Sequence, residues 1–215
     1  YGNAYRITGD KEYLEPILTS AKTLAKRFSP VTGVIRSWDF VRKGRDWKYP
    51  VIIDNMMNLE HLCNAGSIFN DDSLKVVAVT HANTTMCNHF RPDYTSWHLV
   101  DYDPESGEVR KKETVQGFRE ASAWARGQAW ALYGFTMMFR ESGHDSYLTQ
   151  ARNVADMLLS RLPEDGVPYW DLDSDKIPND LRDASAAAIM ASAFVQLSTL
   201  TDDEASNAKY LAMAE

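Results

Sequence analysis

The sequence predicts an all-α fold, a double layer of helical hairpins, on two observations: a helix-sized internal repeat and an alternation of polar-faced with nearly all-apolar helices. The repeat runs from Thr8-Gly-Asp-Lys-Glu-Tyr-Leu to Phe28 and returns from Ser142-Gly-His-Asp-Ser-Tyr-Leu to Leu162. Each copy opens on a Ser/Thr-Gly turn, continues with Tyr-Leu, and becomes an apolar-periodic helix closing near a basic residue. Asn70 to Phe90 repeats the pattern more loosely, and Thr201 to Ala214 repeats its Asp-rich opening. Acidic openings suit helix N-termini, where carboxylates cap free N–H groups and meet the positive end of the helix dipole.

Between these segments lies a second set, Ile52 to Ala65, Ala121 to Arg140 and Ala184 to Leu200, poorer in charge and richer in Ala, Met and aromatics. That composition predicts more buried, inner helices, and the run Ala186 to Ala193 is apolar nearly all round. The short connection Glu141–Ser146 alternates with long irregular ones at 29–50, 91–121 and 163–183. Short strand-like pieces are expected within these loops, one near His98–Tyr102 in the second. Long loops at one end of a helical scaffold are where sites are usually built. The expected architecture is an (α/α)6 toroid, of which 1–215 supplies roughly three and a half hairpins as an incomplete single barrel domain, opening on an outer-type helix and stopping inside another. On pattern alone, an open helical solenoid or bundle stays available.

Bulk composition narrows the function. A net charge of −7 argues against sequence-independent nucleic-acid binding, which needs a basic surface, yet a few arginines in a cleft suffice for a small anion. No apolar run has membrane-spanning length. Cys63 and Cys87 read as two buried free thiols. The chain opens on Tyr1, so its start says nothing about export.

Residues able to do chemistry gather in the long loops and at the starts of the inner helices. Asp54, in Pro50-Val-Ile-Ile-Asp54-Asn-Met-Met-Asn58, stands among apolar residues, where burial raises a carboxyl pKa toward that of a general acid; by itself it reads as a helix cap sooner than as a catalyst. Trp38 lies in the preceding loop. His98, in Thr95-Ser-Trp-His98-Leu-Val-Asp101, is predicted on a strand with Trp97 on the opposite side, ahead of a tight turn at Asp103-Pro-Glu-Ser-Gly107. Gln116-Gly117 precedes Ser122-Ala-Trp124-Ala-Arg126-Gly-Gln128-Ala-Trp130, which carries an arginine between tryptophans into a buried helix. Arg126 there needs an anionic partner, either a substrate carboxylate or a structural one such as Asp54. Tyr169 and Trp170 are candidates for a pocket wall, and Asp183 for a cap. No phosphate loop, zinc-type His pair or nucleophile elbow is present, and no metal or cofactor is expected.

Three motifs in order, Ile52-Ile-Asp54-Asn-Met-Met-Asn58-Leu, Ser96-Trp-His98-Leu-Val-Asp101 and Ser122 to Trp130, resemble the unsaturated glucuronyl hydrolases of glycoside hydrolase family 88, with the likeness extending from Tyr1 to Asp183-Ala-Ser185 and beyond. The resemblance implies a six-hairpin α/α barrel. It also implies release of a 4,5-unsaturated uronic acid from the non-reducing end of lyase-generated oligosaccharides, by hydration of the vinyl ether and without a glycosyl-enzyme intermediate. Asp54 matches the family's general acid and base, and Trp38, His98, Gln116, Trp124, Arg126 and Trp130 match or adjoin pocket residues. A second family Asp, expected just before Tyr1, and the end of the barrel are not in this sequence. A bacterial protein of the cytoplasm or periplasm is implied, acting on an unsaturated uronic-acid oligosaccharide, with no nucleic-acid or membrane partner. An unsaturated rhamnogalacturonyl hydrolase, an inactive sugar-binding toroid and a helical protein scaffold are the competing readings.

Overall fold

A computed structural model of the chain describes residues 1–40, 43–201 and 203–215; Asp202, within the predicted repeat opening at Thr201, lies outside them. Helices dominate: α1 (Gly2–Thr8), α2 (Leu14–Ala25), α3 (Leu59–Phe69), α4 (Asp72–Asn88), α5 (Ala125–Ser142), α6 (Asp145–Leu159), α7 (Ala184–Ser198) and α8 (Glu204–Ala214). Caps mark the hairpins as the repeat predicts. Asp71, Asp183 and Asp203 accept hydrogen bonds at the starts of α4, α7 and α8. Gly9 and Gly143 close α1 and α5 in the left-handed conformation.

The middle helices form an inner row, α3 on α5 on α7, and each packs against the outer helix that follows it, α4, α6 or α8; α2 adds a further outer helix against α3. The result is an arc of a double ring. Its centre is α5, which buries Ala129, Leu132, Phe135, Met137 and Met138 among others. A short helix, α1, precedes the outer helix α2 with which the predicted repeat begins. Helix α1 shares a cavity with the α3 side chains Glu60, His61 and Asn64.

The long loops carry short strands: β1 (Phe28–Ser29), β2 (Val34–Ile35), β3 (Tyr49–Ile52), β4 (Leu99–Tyr102) and β5 (Val109–Glu113). β1 and β2 form an antiparallel pair, while β3, β4 and β5 form a three-stranded antiparallel sheet with β4 in the centre. Strand-like pieces were expected in the long loops, but only β4 by position. The others are held by partners remote in sequence: the Asp101 carboxylate accepts the backbone N–H groups of Lys48 (2.9 Å) and Tyr49 (2.8 Å), and the Tyr49 hydroxyl lies 2.6 Å from the Arg27 carbonyl.

Four further expectations are corrected. The inner segment Ile52–Ala65 is not one helix: β3 ends at Ile52, a 3₁₀ turn covers Ile53–Asn58, and α3 begins at Leu59. Helix α5 starts at Ala125, not Ala121, because Trp124 is extended and bridges to Asp171. Cys87 is exposed, because the buried stripe of α4 runs through Ala78, Ala82 and Thr85 and residue 87 points away from it. Similarly, α7 buries only the stripe Ala186, Met190, Ala193, Phe194 and Leu197, with Val195 exposed on the far side. No helix among the described residues is long and apolar enough to cross a membrane.

Candidate active site

Asp54 stands where the sheet, the inner row and the loops meet, and its position follows from close packing. A Cβ on Gly134 would lie 2.4 Å from the Met56 Cβ, and one on Gly127 would lie 3.3 Å from Ile53. These glycines are seven residues apart, on one face of α5, so the Ile53–Asn58 turn lies directly against the helix. Ile53 and Met56 are fully buried there, each worth about 1.5–3 kcal/mol of transfer free energy. Asp54 is thereby fixed beside the first turn of α5 without making that burial contact itself.

His98 reaches Asp54 through register. The Ile53 N–H donates to the His98 carbonyl (2.9 Å), continuing the β3–β4 ladder by one residue and placing His98 Nε2 3.7 Å from Asp54 Oδ2. His98 Nδ1 accepts the Val115 N–H at 3.2 Å, which puts the ring proton on Nε2. The Gln116 carboxamide touches the same Nε2 at 3.3 Å and can accept its proton by presenting its oxygen. Trp124 meets the His98 ring edge-on at 5.0 Å, and the Arg126 guanidinium lies 5.2 Å from the Trp124 ring.

Burial sets the protonation of the pair. The Asp54 side chain is 14% exposed and its Oδ2 has no hydrogen-bond partner among the described residues. Desolvation pushes its pKa up to about 6, against smaller lowering by its own backbone N–H and by Arg126. Desolvation brings His98 down to about 4, so the imidazole is neutral near pH 7. A buried carboxyl with an unmatched oxygen is costly for the fold and suited to proton transfer.

Trp38, His98, Gln116 and Trp130 line two separate hollows, while Asp54, Trp124 and Arg126 line neither. Trp38 and Phe40 stack at 5.8 Å and, with Ile52, His98, Val115 and Gln116, line a cleft of about 340 Å³. Trp130, one turn beyond Arg126, lines a second hollow of about 460 Å³ with Met57, Asn58, Tyr133 and Ala188. Asp54 lies beside His98 of the first cleft and in the same turn as Asn58 of the second hollow. A larger cavity of about 660 Å³ beside α1 contains none of the predicted site residues. Arg126 is not deeply buried, being 41% exposed, and its structural partner is Asp183 rather than Asp54. Tyr169 and Trp170 are engaged within their own loop, donating to the Pro178 carbonyl (2.9 Å) and the Asp180 carboxylate (3.0 Å).

Some organising residues escaped the sequence reading. Asn55 Nδ2 donates to the Ile35 carbonyl at 2.7 Å, and the Ile35 N–H donates to His81 Nδ1 at 2.9 Å, fastening β2 to the turn that holds Asp54. Fully buried Asp171 accepts from Phe118 N–H (2.8 Å), Ser122 Oγ (2.6 Å) and Asp173 N–H (2.9 Å), and so folds the 114–122 loop that presents Gln116. The signal available for Asp171 was the Trp-Asp-Leu-Asp acidic cluster; His81 gave none beyond its apolar surroundings.

Comparisons with known proteins show the family to which the chain belongs. The profile of Glycosyl Hydrolase Family 88 matches residues 1–210. An unsaturated glucuronyl hydrolase from Formosa agariphila is 46% identical over 207 residues, 95% of this chain and 51% of the relative. An unsaturated chondroitin disaccharide hydrolase from Streptococcus agalactiae is 36% identical over 184 residues, 86% of this chain and 46% of its own length. The crystal structure of an unsaturated glucuronyl hydrolase specific for heparin superposes with a TM-score of 0.95 at 48% identity, covering all of this chain and 56% of that one. The chain thus spans about half the length of the curated relatives it matches, and the helical arc is part of the α/α toroid these proteins share. Its fold and the match along residues 1–210 make this chain a member of glycoside hydrolase family 88.

Proposed function

We propose that the protein to which this chain belongs is a glycosidase releasing 4,5-unsaturated glucuronic acid from the non-reducing end of lyase-generated, glycosaminoglycan-type oligosaccharides. The observation that carries this reading is Asp54: a buried carboxyl with an unpartnered oxygen, raised toward neutrality, beside a neutral His98 and an aromatic cleft. The names of the relatives support the substrate class.

In the proposed reaction, protonated Asp54 gives its proton to C4 of the C4=C5 double bond. Positive charge develops at C5, stabilised by the ring oxygen, and water adds there as its proton passes to the Asp54 carboxylate. The net step is addition of one water across the double bond. The C5 hemiketal then opens, and the glycosidic link is lost as the sugar rearranges. No enzyme-bound glycosyl ester forms, which separates this scheme from the two-carboxylate pattern of other glycosidases. Trp38, Trp124 and Trp130 offer faces and edges to sugar rings. Gln116, held by His98, hydrogen-bonds the uronate sugar through its amide N–H, and Arg126 takes its carboxylate. Residues 1–215 supply part of one catalytic domain.

The test is loss of the ultraviolet absorbance of an unsaturated glycosaminoglycan disaccharide, followed with a family-length chain containing these residues. Turnover excludes an inactive sugar-binding toroid. Asp54→Asn is expected to abolish turnover while retaining disaccharide binding by calorimetry; near-normal turnover in that variant overturns the assignment.

A further inference from the structure

The Arg126–Asp183 pair joins the start of one inner helix to the start of the next. Arg126 is the second residue of α5. Its Nε and Nη2 donate to one oxygen of Asp183, Oδ2, at 3.2 and 3.0 Å. The other oxygen, Oδ1, accepts the Ala186 N–H at 2.9 Å and caps α7. The Asp183 side chain is 6% exposed while that of Arg126 is 41% exposed. One carboxylate therefore does two separate jobs, and the cap alone would require only one of its oxygens. A serine would cap α7 equally well.

A guanidinium has two edges that can grip a carboxylate: a side edge, Nε with Nη2, and an end edge, Nη1 with the remaining Nη2 hydrogen. Asp183 occupies the side edge. No hydrogen bond engages Nη1 among the described residues.

We propose that Asp183 is a positioning residue for the uronate site: it fixes Arg126 by its side edge, so that the end edge faces the substrate carboxylate. The inference rests on the reading that Arg126 binds that carboxylate. The geometry also gives Asp183 a second effect. Arg126 lowers the Asp54 pKa, and the negative charge that Asp183 sets against the guanidinium would offset part of that field. A released Arg126, without that offset, would favour the Asp54 carboxylate and move its titration to lower pH.

The experiment compares Asp183→Ser, Asp183→Asn, Asp183→Glu and Arg126→Gln with the parent in the family-length enzyme, using the unsaturated disaccharide and its uronate methyl ester. Asp183→Ser keeps the cap, so its melting temperature is expected within a few degrees of the parent. Its KM for the acid should rise by about tenfold or more, the scale of a lost charge-assisted hydrogen bond. Its KM for the methyl ester should be unchanged, and the limb of its kcat–pH profile governed by Asp54 should move toward acid. Asp183→Glu should recover part of the KM. If Asp183→Ser fails to fold, Asp183→Asn carries the same test, since its single oxygen cannot serve both cap and guanidinium.

A KM within about twofold of the parent in the folded Asp183 variant, while Arg126→Gln still weakens binding of the acid, overturns the positioning role and leaves the function standing. If Arg126→Gln leaves the KM for the acid unchanged, the role of Arg126 falls and the proposal with it.

Discussion

His98 Nε2 stands 3.7 Å from Asp54 Oδ2, and the burial that brings them together moves their two ionisations in opposite directions. Desolvation lowers the imidazole to about 4 and raises the carboxyl to about 6. Between these values both groups are neutral. The acid can therefore hold its proton without an imidazolium beside it to pull that proton away.

Asp54→Asn should stabilise the protein at neutral pH. The folded pKa of Asp54 lies above its unfolded value of 3.8, so its contribution is most favourable below pH 3.8 and is lost as pH rises through about 6. The amide removes that loss. Chemical denaturation at pH 7.5 is expected to show a gain of about 1–3 kcal/mol over the parent, shrinking toward zero near pH 4. A variant less stable than the parent at pH 7.5 would mean that the Asp54 carboxylate is well solvated or paired.

Turnover should show the same ionisation. If Asp54 delivers the proton to C4, kcat falls as pH rises through about 6, because the proton donor is lost. A kcat–pH profile of the family-length enzyme checks this. A rate flat from pH 5 to 8 would place the proton on another group.

His98 predicts the opposite stability slope. The unfolded imidazole takes a proton near 6.5, whereas the folded one resists until about 4. Stability is complete above 6.5 and is lost as pH falls through that window. Replacing His98 with Gln, whose oxygen can accept the Val115 N–H, should reduce the fall of the denaturation midpoint between pH 6.5 and 4, the remainder coming from buried His81 and His89. Nitrogen NMR of the parent should find the ring neutral, with its proton on Nε2, at pH 6.

Gly117 permits the loop that carries Gln116. An added Cβ would meet Thr114 Cγ2 at 2.4 Å, Asp171 Oδ2 at 2.5 Å and Ser122 Oγ at 2.7 Å, all on side chains already held in place. Gly117→Ala should cost about 1–3 kcal/mol and disturb the Asp171 network. Hydrogen exchange at the Phe118 amide, which donates to Asp171, is the specific readout: its protection should fall more than that of the α5 core.

His81 supports the site from the outer layer. His81→Leu leaves the buried Ile35 N–H without its acceptor, at a cost of about 1–3 kcal/mol. His81→Asn tests whether a shorter side chain can restore the bond. Trp38, three residues beyond Ile35, should report the change in fluorescence; an unchanged melting temperature in the leucine variant would show that the His81 bond contributes nothing.

The sequence by itself determined the helical hairpins, because period, Asp caps and closing glycines are local: α2, α4, α6 and α8 lie where the repeat places them. It also picked out the candidate site residues, most of which the fold brings near one another. Asp54, His98, Trp38, Gln116, Trp124 and Arg126 do converge or adjoin, while Trp130 lines a neighbouring hollow. What it could not fix was anything decided by a distant partner. The stretch around Asp54 has the composition of an inner helix, yet its first residues complete a strand against β4 and its next six form a 3₁₀ turn pressed onto Gly127 and Gly134. Propensity for one conformation is worth tenths of a kcal/mol per residue, less than a ladder of backbone hydrogen bonds and two buried side chains supply. The partner of Arg126 was likewise undecidable from spacing, because Asp54 and Asp183 are both acids at the starts of inner segments. Only the packing of α5 on α7 puts Asp183 against the guanidinium and leaves the Asp54 oxygen unpartnered, and on that difference the proposed chemistry depends.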